Sequence, residues 1–115
     1  MRIFGLTLIL ALGLSGAVAF AAAPPANIVA LTLHAHRFTP ATISAPAGQR
    51  LQIVLTNEDG ATEEFDSHDL EVEQLVTPHG RVQFSVGPLH AGRYAFMGEF
   101  HPETAQGEIV AGAGR

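Results

Sequence analysis

A two-sheet β-sandwich with Greek-key connections is the fold this sequence predicts, on three observations. From Ile28 onward the apolar residues fall in short alternating runs, the period of strands and not of helices. Gly and Pro divide those runs at Pro46-Ala47-Gly48, Pro78-His79-Gly80 and Pro88 to Gly92. Six or seven such segments then follow one another without room for a helix of any length, and strands of that number pair their apolar faces as two packed sheets.

The elements can be read in order. Ile28 to Leu33 alternates apolar with polar or small residues, and Ile43 precedes the Pro46-Ala47-Gly48 turn. Leu51, Ile53 and Leu55 form a half-buried strand that ends in the turn chemistry of Asn57 to Gly60. Between Phe65 and Val76 the spacing of Leu70, Val72 and Leu75 suits either a short helical turn or an extended strand, and irregular structure plus strand is expected. Val82, Phe84 and Val86 alternate again, Tyr94 and Phe96 follow, and Glu108 to Ala111 closes the chain.

The segment before the sandwich reads differently. Met1-Arg2, an apolar run from Ile3 to Leu14 and the small residues Ala17-Val18-Ala19 have the order of a secretory signal peptide over residues 1–19, with a short linker over 20–27 and a single domain over 28–115. Cleavage after Ala19 is expected; an uncleaved anchor is the alternative, because apolar and small residues continue to Ala23.

Composition narrows the function. There is no Cys among the 115 residues, so export does not serve disulfide formation. The six basic residues are all Arg against eleven acids, and eight of those acids lie between Glu58 and Glu73. Nucleic acid needs a basic footprint and is excluded as a partner. An acidic stripe suits a cation, or simply a solvated loop. Nucleophilic catalysis has no support, since Ser67 and Ser85 lack a His and an acid at motif spacing.

The stretch AGRYAFMGEFHPETAQGEIVA, from Ala91 to Ala111, resembles the metal-binding corner of a cupredoxin, where a strand of the form PG-x-Y-x-F enters a C-x-x-H-x-x-M loop. Tyr94, Phe96, His101 and Gly107 are in register with that pattern, but Gly98 stands in the cysteine position and Thr104 in the axial methionine position. HRFTPATISAPAGQRLQIVLTNED, from His36 to Asp59, resembles the opening of the same family, and Glu63 of Glu63-Glu64-Phe65 takes the place of its first ligand histidine. The resemblance implies a cupredoxin-like Greek-key β-sandwich of six to eight strands. Without a Cys sulfur, a blue-copper thiolate centre is ruled out.

Within that family, the segments His34 to Phe38, Glu63 to Ser67 and Gly98 to Gly107 resemble a small exported subgroup associated with bacterial iron permeases. That resemblance implies a periplasmic protein assisting ferrous iron uptake, by binding the metal or aiding its oxidation. Its partner would be an inner-membrane iron permease or an associated periplasmic iron-binding protein.

Loops at one end of a sandwich bring distant residues together, so His36, Glu63, Glu99 and His101 are the expected metal ligands. Imidazole and carboxylate without sulfur suit a transition metal ion, iron, copper or zinc. Strand alternation turns one of each neighbouring pair away, which sets Glu64 behind Glu63. His34 is a weaker candidate, His68 with Asp66 and Asp69 a second transient site, His79 and His90 turn residues, and Met97 a packing residue. Two rival readings stay open: a metal-free Ig-like interaction module of a membrane complex, and a copper carrier or electron-transfer protein.

Overall fold

A computed structural model describes residues 11–13, 15–17 and 27–112. Most of the segment read as signal peptide and linker lies outside them. Among the described residues there is no helix, and so none long and apolar enough to cross a membrane.

The described residues form nine strands: β1 (Asn27–His34), β2 (Arg37–Thr39), β3 (Thr42–Pro46), β4 (Leu51–Asn57), β5 (Glu63–Ser67), β6 (Val72–Val76), β7 (Arg81–Val86), β8 (Gly92–Gly98) and β9 (Gln106–Gly112). One sheet has the order β2-β1-β4-β7 and the other β3-β9-β8-β5-β6. The all-β sandwich is therefore as expected, with more strands than the six to eight counted. One addition is the three-residue β2, too short for alternation to reveal. The stretch from Phe65 to Val76, read as irregular plus strand, is instead the antiparallel pair β5 and β6 around a tight turn.

Two parallel pairings tie early strands to later ones: β1 lies along β4, and β3 along β9. β4 is central in its sheet, between β1 and β7, and Val54 on its outer face is 5% exposed, so this strand is buried more fully than alternation implied.

The inward faces meet in one core, with Leu31, Leu33, Ile53 and Leu55 from the first sheet and Phe65, Phe96 and Ile109 from the second. Four phenylalanines lock the layers together. Phe65 lies 4.9 Å from both Phe84 and Phe96 between ring centroids, and Phe38 meets Phe96 edge-on at 5.2 Å. Such pairs add about 0.5–1.5 kcal/mol each beyond area burial. Phe65 is fully buried while Phe84 is only partly so.

Candidate metal centre

Three segments far apart in sequence deliver side chains to one end of the sandwich. The first is the β1–β2 hairpin. Pairing of His34 with Arg37 leaves Ala35 and His36 as a two-residue turn, and both have positive φ, 51° and 56°. This is the backbone of a type I′ turn, which favours the right-handed twist of a hairpin and usually carries Asn-Gly. Here the sequence is Ala-His, and the carboxylate of Asp59 accepts both turn N–H groups, from Ala35 at 2.7 Å and His36 at 2.9 Å.

The second segment is the start of β5. Alternation turns Glu63, Phe65 and Ser67 inward, and Glu63 is 2% exposed, a burial tolerable only with partners. Its Oε1 accepts the backbone N–H of Glu64 at 3.0 Å and of Phe100 at 2.9 Å; its Oε2 lies 2.7 Å from Nδ1 of His101. Ser67, on the same face, is structural: its hydroxyl donates to the carbonyl of Ala95.

The third segment is the loop between β8 and β9. It closes through Gly98 N–H to the carbonyl of Ala105, while the His101 carbonyl accepts from Ala105, and this holds the imidazole over Glu63. A side chain at position 98 would have no room. Its Cβ would lie 2.7 Å from Ala105 Cβ and 2.9 Å from Glu63 Cδ. The carboxylate from β5 thus fills the space into which a cysteine at 98 would project. The residues present do not fit a blue-copper centre, in sterics as well as in donors.

His36 and His101 stack, with ring centroids 3.6 Å apart and planes 15° from parallel. One donor atom each from His36, Glu63 and His101 lies within 4.8 Å of the others, two nitrogens and one oxygen. The histidines are partly open, with 42% and 28% of their side chains exposed, so the group sits at the surface with the carboxylate beneath it.

That geometry is close to a site for an ion without being set in its final form. Lone pairs lie in the ring planes, so nearly parallel rings must splay for one ion to lie in both. An ion there would take one donor atom from each of His36, Glu63 and His101, and would compete with the 2.7 Å contact between His101 and Glu63. Thr104, three residues on, keeps a buried hydroxyl without a hydrogen-bond partner.

Glu99 is not in this group. β8 ends at Gly98 with that residue facing inward, and Glu99 is exposed beside Glu64, to whose carbonyl its N–H donates. Partial desolvation, then repulsion and a hydrogen bond from Glu99, raise the Glu64 carboxyl above its ordinary value. These two acids pair with each other outside the group of His36, Glu63 and His101.

The remaining candidates also lie elsewhere. His34 ends β1 and faces Glu58 at 3.4 Å, largely exposed. His68 lines a surface recess with Asp66, Glu71 and Glu73. His79 and His90 lie outside the strands, as expected. Met97 is 41% exposed, on the outside of the sheet and not in packing.

Asp59 was not singled out by its sequence pattern, where it reads as one more residue of a polar turn. Desolvation acts to raise its carboxyl, but the N–H groups of His36 and Ala35 and the nearby imidazoles of His36 and His34 outweigh that and hold it below the ordinary value.

This chain belongs to the cupredoxin-like domain family, which matches residues 5–111. An uncharacterised protein of Rickettsia prowazekii (strain Madrid E) is 38% identical over 82 residues, 71% of this chain and 66% of that protein. The chain therefore spans about two thirds of that relative's length. Among solved structures, auracyanin A, a blue copper protein of Chloroflexus aurantiacus, superposes with a TM-score of 0.64 at 13% identity, over 76% of this chain and 99% of its own. The metal-binding domain of a Cu(I)-exporting P-type ATPase of Streptococcus pneumoniae, determined with Cu(I), gives 0.63 at 13% identity, over 73% and 83%. At such identities the likeness is one of fold.

Proposed function

We propose that this protein is an exported metal-binding cupredoxin-like domain that holds a divalent transition ion through His36, Glu63 and His101 and hands it to a membrane permease, with ferrous iron as the cargo. The observation that carries the reading is the convergence of two partly open imidazoles on a buried carboxylate. Two nitrogens and an oxygen suit borderline ions such as Fe(II), Cu(II) and Zn(II), and disfavour Cu(I), which prefers sulfur. Three protein donors leave a position for water or an exchanging ligand, as cargo handling needs. The family of iron-permease partners that the sequence resembles is the basis for choosing iron over copper and for the periplasm.

Competition titration with Fe(II), Cu(II), Zn(II) and Mn(II), on protein purified without a His tag, tests this. His101→Ala is expected to weaken the preferred ion at least tenfold, about 1.4 kcal/mol, with the fold retained. Bound Cu(II) is expected to show only weak ligand-field absorption, since no thiolate is present to give an intense charge-transfer band. Unchanged affinity in His101→Ala would sink the site.

One observation favours the metal-free interaction module instead. Glu63 is already satisfied by two N–H groups and His101, so the same residues can serve as a buried structural pair. Absence of binding for all four ions selects that reading.

Export is tested separately. N-terminal sequencing of the native protein is expected to begin near Phe20, in the soluble periplasmic fraction. Recovery of Met1 in membranes identifies an anchor.

A further inference from the structure

We infer that Asp59 is the positioning residue of the centre: its carboxylate holds the Ala35-His36 turn in its left-handed conformation and so sets His36 against His101. The inference rests on the metal-centre reading for its functional consequence, and on the hairpin geometry for its structural one.

Two consecutive non-glycine residues with φ of 51° and 56° are costly and persist only where the surroundings over-determine them. Ala35 has no side chain able to support that conformation from within the turn, as Asn or Asp does. The support comes from outside. Asp59 spans the turn with one oxygen on each N–H, at 2.7 and 2.9 Å, a bidentate cap for two donors that point the same way. Its Oδ2 also lies 3.6 Å from Nδ1 of His36, so that edge of the imidazole faces the carboxylate. A carboxylate behind a ligand histidine fixes ring orientation.

Asp59 can do this because it is itself anchored. Its N–H donates to Oδ1 of Asn57 at 3.0 Å, and its carbonyl accepts from His79 at 3.0 Å. Asn57 is fully buried and its amide donates to the carbonyls of Ala61 and Thr77, while Glu58 N–H donates to the carbonyl of Leu33 at the end of β1. The loop after β4 is thus tied both to the core and to the hairpin it supports. Loss of the carboxylate leaves two turn N–H groups without their acceptor and removes the force that keeps His36 folded back over the loop of β8 and β9.

The test uses the full mature chain. Asp59→Asn keeps size and one acceptor oxygen, and Ala35→Asn places a residue that tolerates positive φ where the turn begins. NMR of the metal-free protein reads cross-relaxation between the His36 and His101 ring protons, and Zn(II) titration reads affinity. Asp59→Asn is expected to lose the ring contact and to weaken Zn(II) at least tenfold with amide dispersion retained; Ala35→Asn added to it is expected to restore both in large part. A purely structural role for Asp59 would lower stability without that selective rescue. Ring contacts that persist in Asp59→Asn overturn the inference, as does Zn(II) affinity equal to that of a binding wild type. Failure of the wild type itself to bind Zn(II) counts against the metal-centre reading, and the ring-contact measurement then decides the role of Asp59 alone.

Discussion

Glu63→Ala is expected to lower unfolding free energy by about 3–5 kcal/mol, because each buried donor left without its acceptor costs about 1–3 kcal/mol. The change strips acceptors from three donors at once, the N–H groups of Glu64 and Phe100 and Nδ1 of His101, and leaves a void beneath Gly98 and Ala105. Denaturant unfolding with an unchanged slope measures it. Glu63→Gln separates charge from shape. Its carbonyl oxygen can still accept both backbone N–H groups and its amide can face a neutral His101, so most of the stability is expected to remain while metal affinity falls at least tenfold. Equal stability of Glu63→Ala and wild type would mean that the carboxylate is not the keystone of this end of the sandwich.

Phe65→Ala is expected to cost a similar amount, about 3–5 kcal/mol, for a different reason. The ring is fully buried and touches three other phenylalanines from both sheets, so no single neighbour can move to close the cavity. A domain with roughly 5–15 kcal/mol in total has little left after such a loss. Calorimetry of Phe65→Ala beside Phe84→Ala provides the comparison, since Phe84 is only partly buried and is expected to lose less. A larger loss at Phe84 would place the centre of the core on the other sheet.

The sandwich was readable because one face of each strand alternates so clearly, as in Leu51, Ile53 and Leu55. Where both faces differ little, as around Leu70 to Leu75, alternation could not separate strand from turn, and the pairing of β5 with β6 supplied the answer. Glu63 and His101 were legible through their place in a known pattern. Glu99 was read toward the same end, but it follows a glycine whose inward direction sends the next side chain out. Asp59 escaped notice because its work is done across a separation of more than twenty residues, on backbone groups that leave no mark in side-chain patterning. The Ala-His turn hid itself by lacking the Asn-Gly that usually announces such a hairpin.

The three donors come from the β1–β2 turn, the start of β5 and the β8–β9 loop, and only the folded sandwich brings them within 4.8 Å of one another. An unfolded chain presents no such group, so an ion held there has affinity for the folded state alone. Ion occupancy and unfolding are then one coupled equilibrium: at a free ion concentration one hundred times the dissociation constant, folding gains about 2.7 kcal/mol. A chain that crosses a membrane unfolded would arrive empty, and the compartment in which it folds would choose its ion.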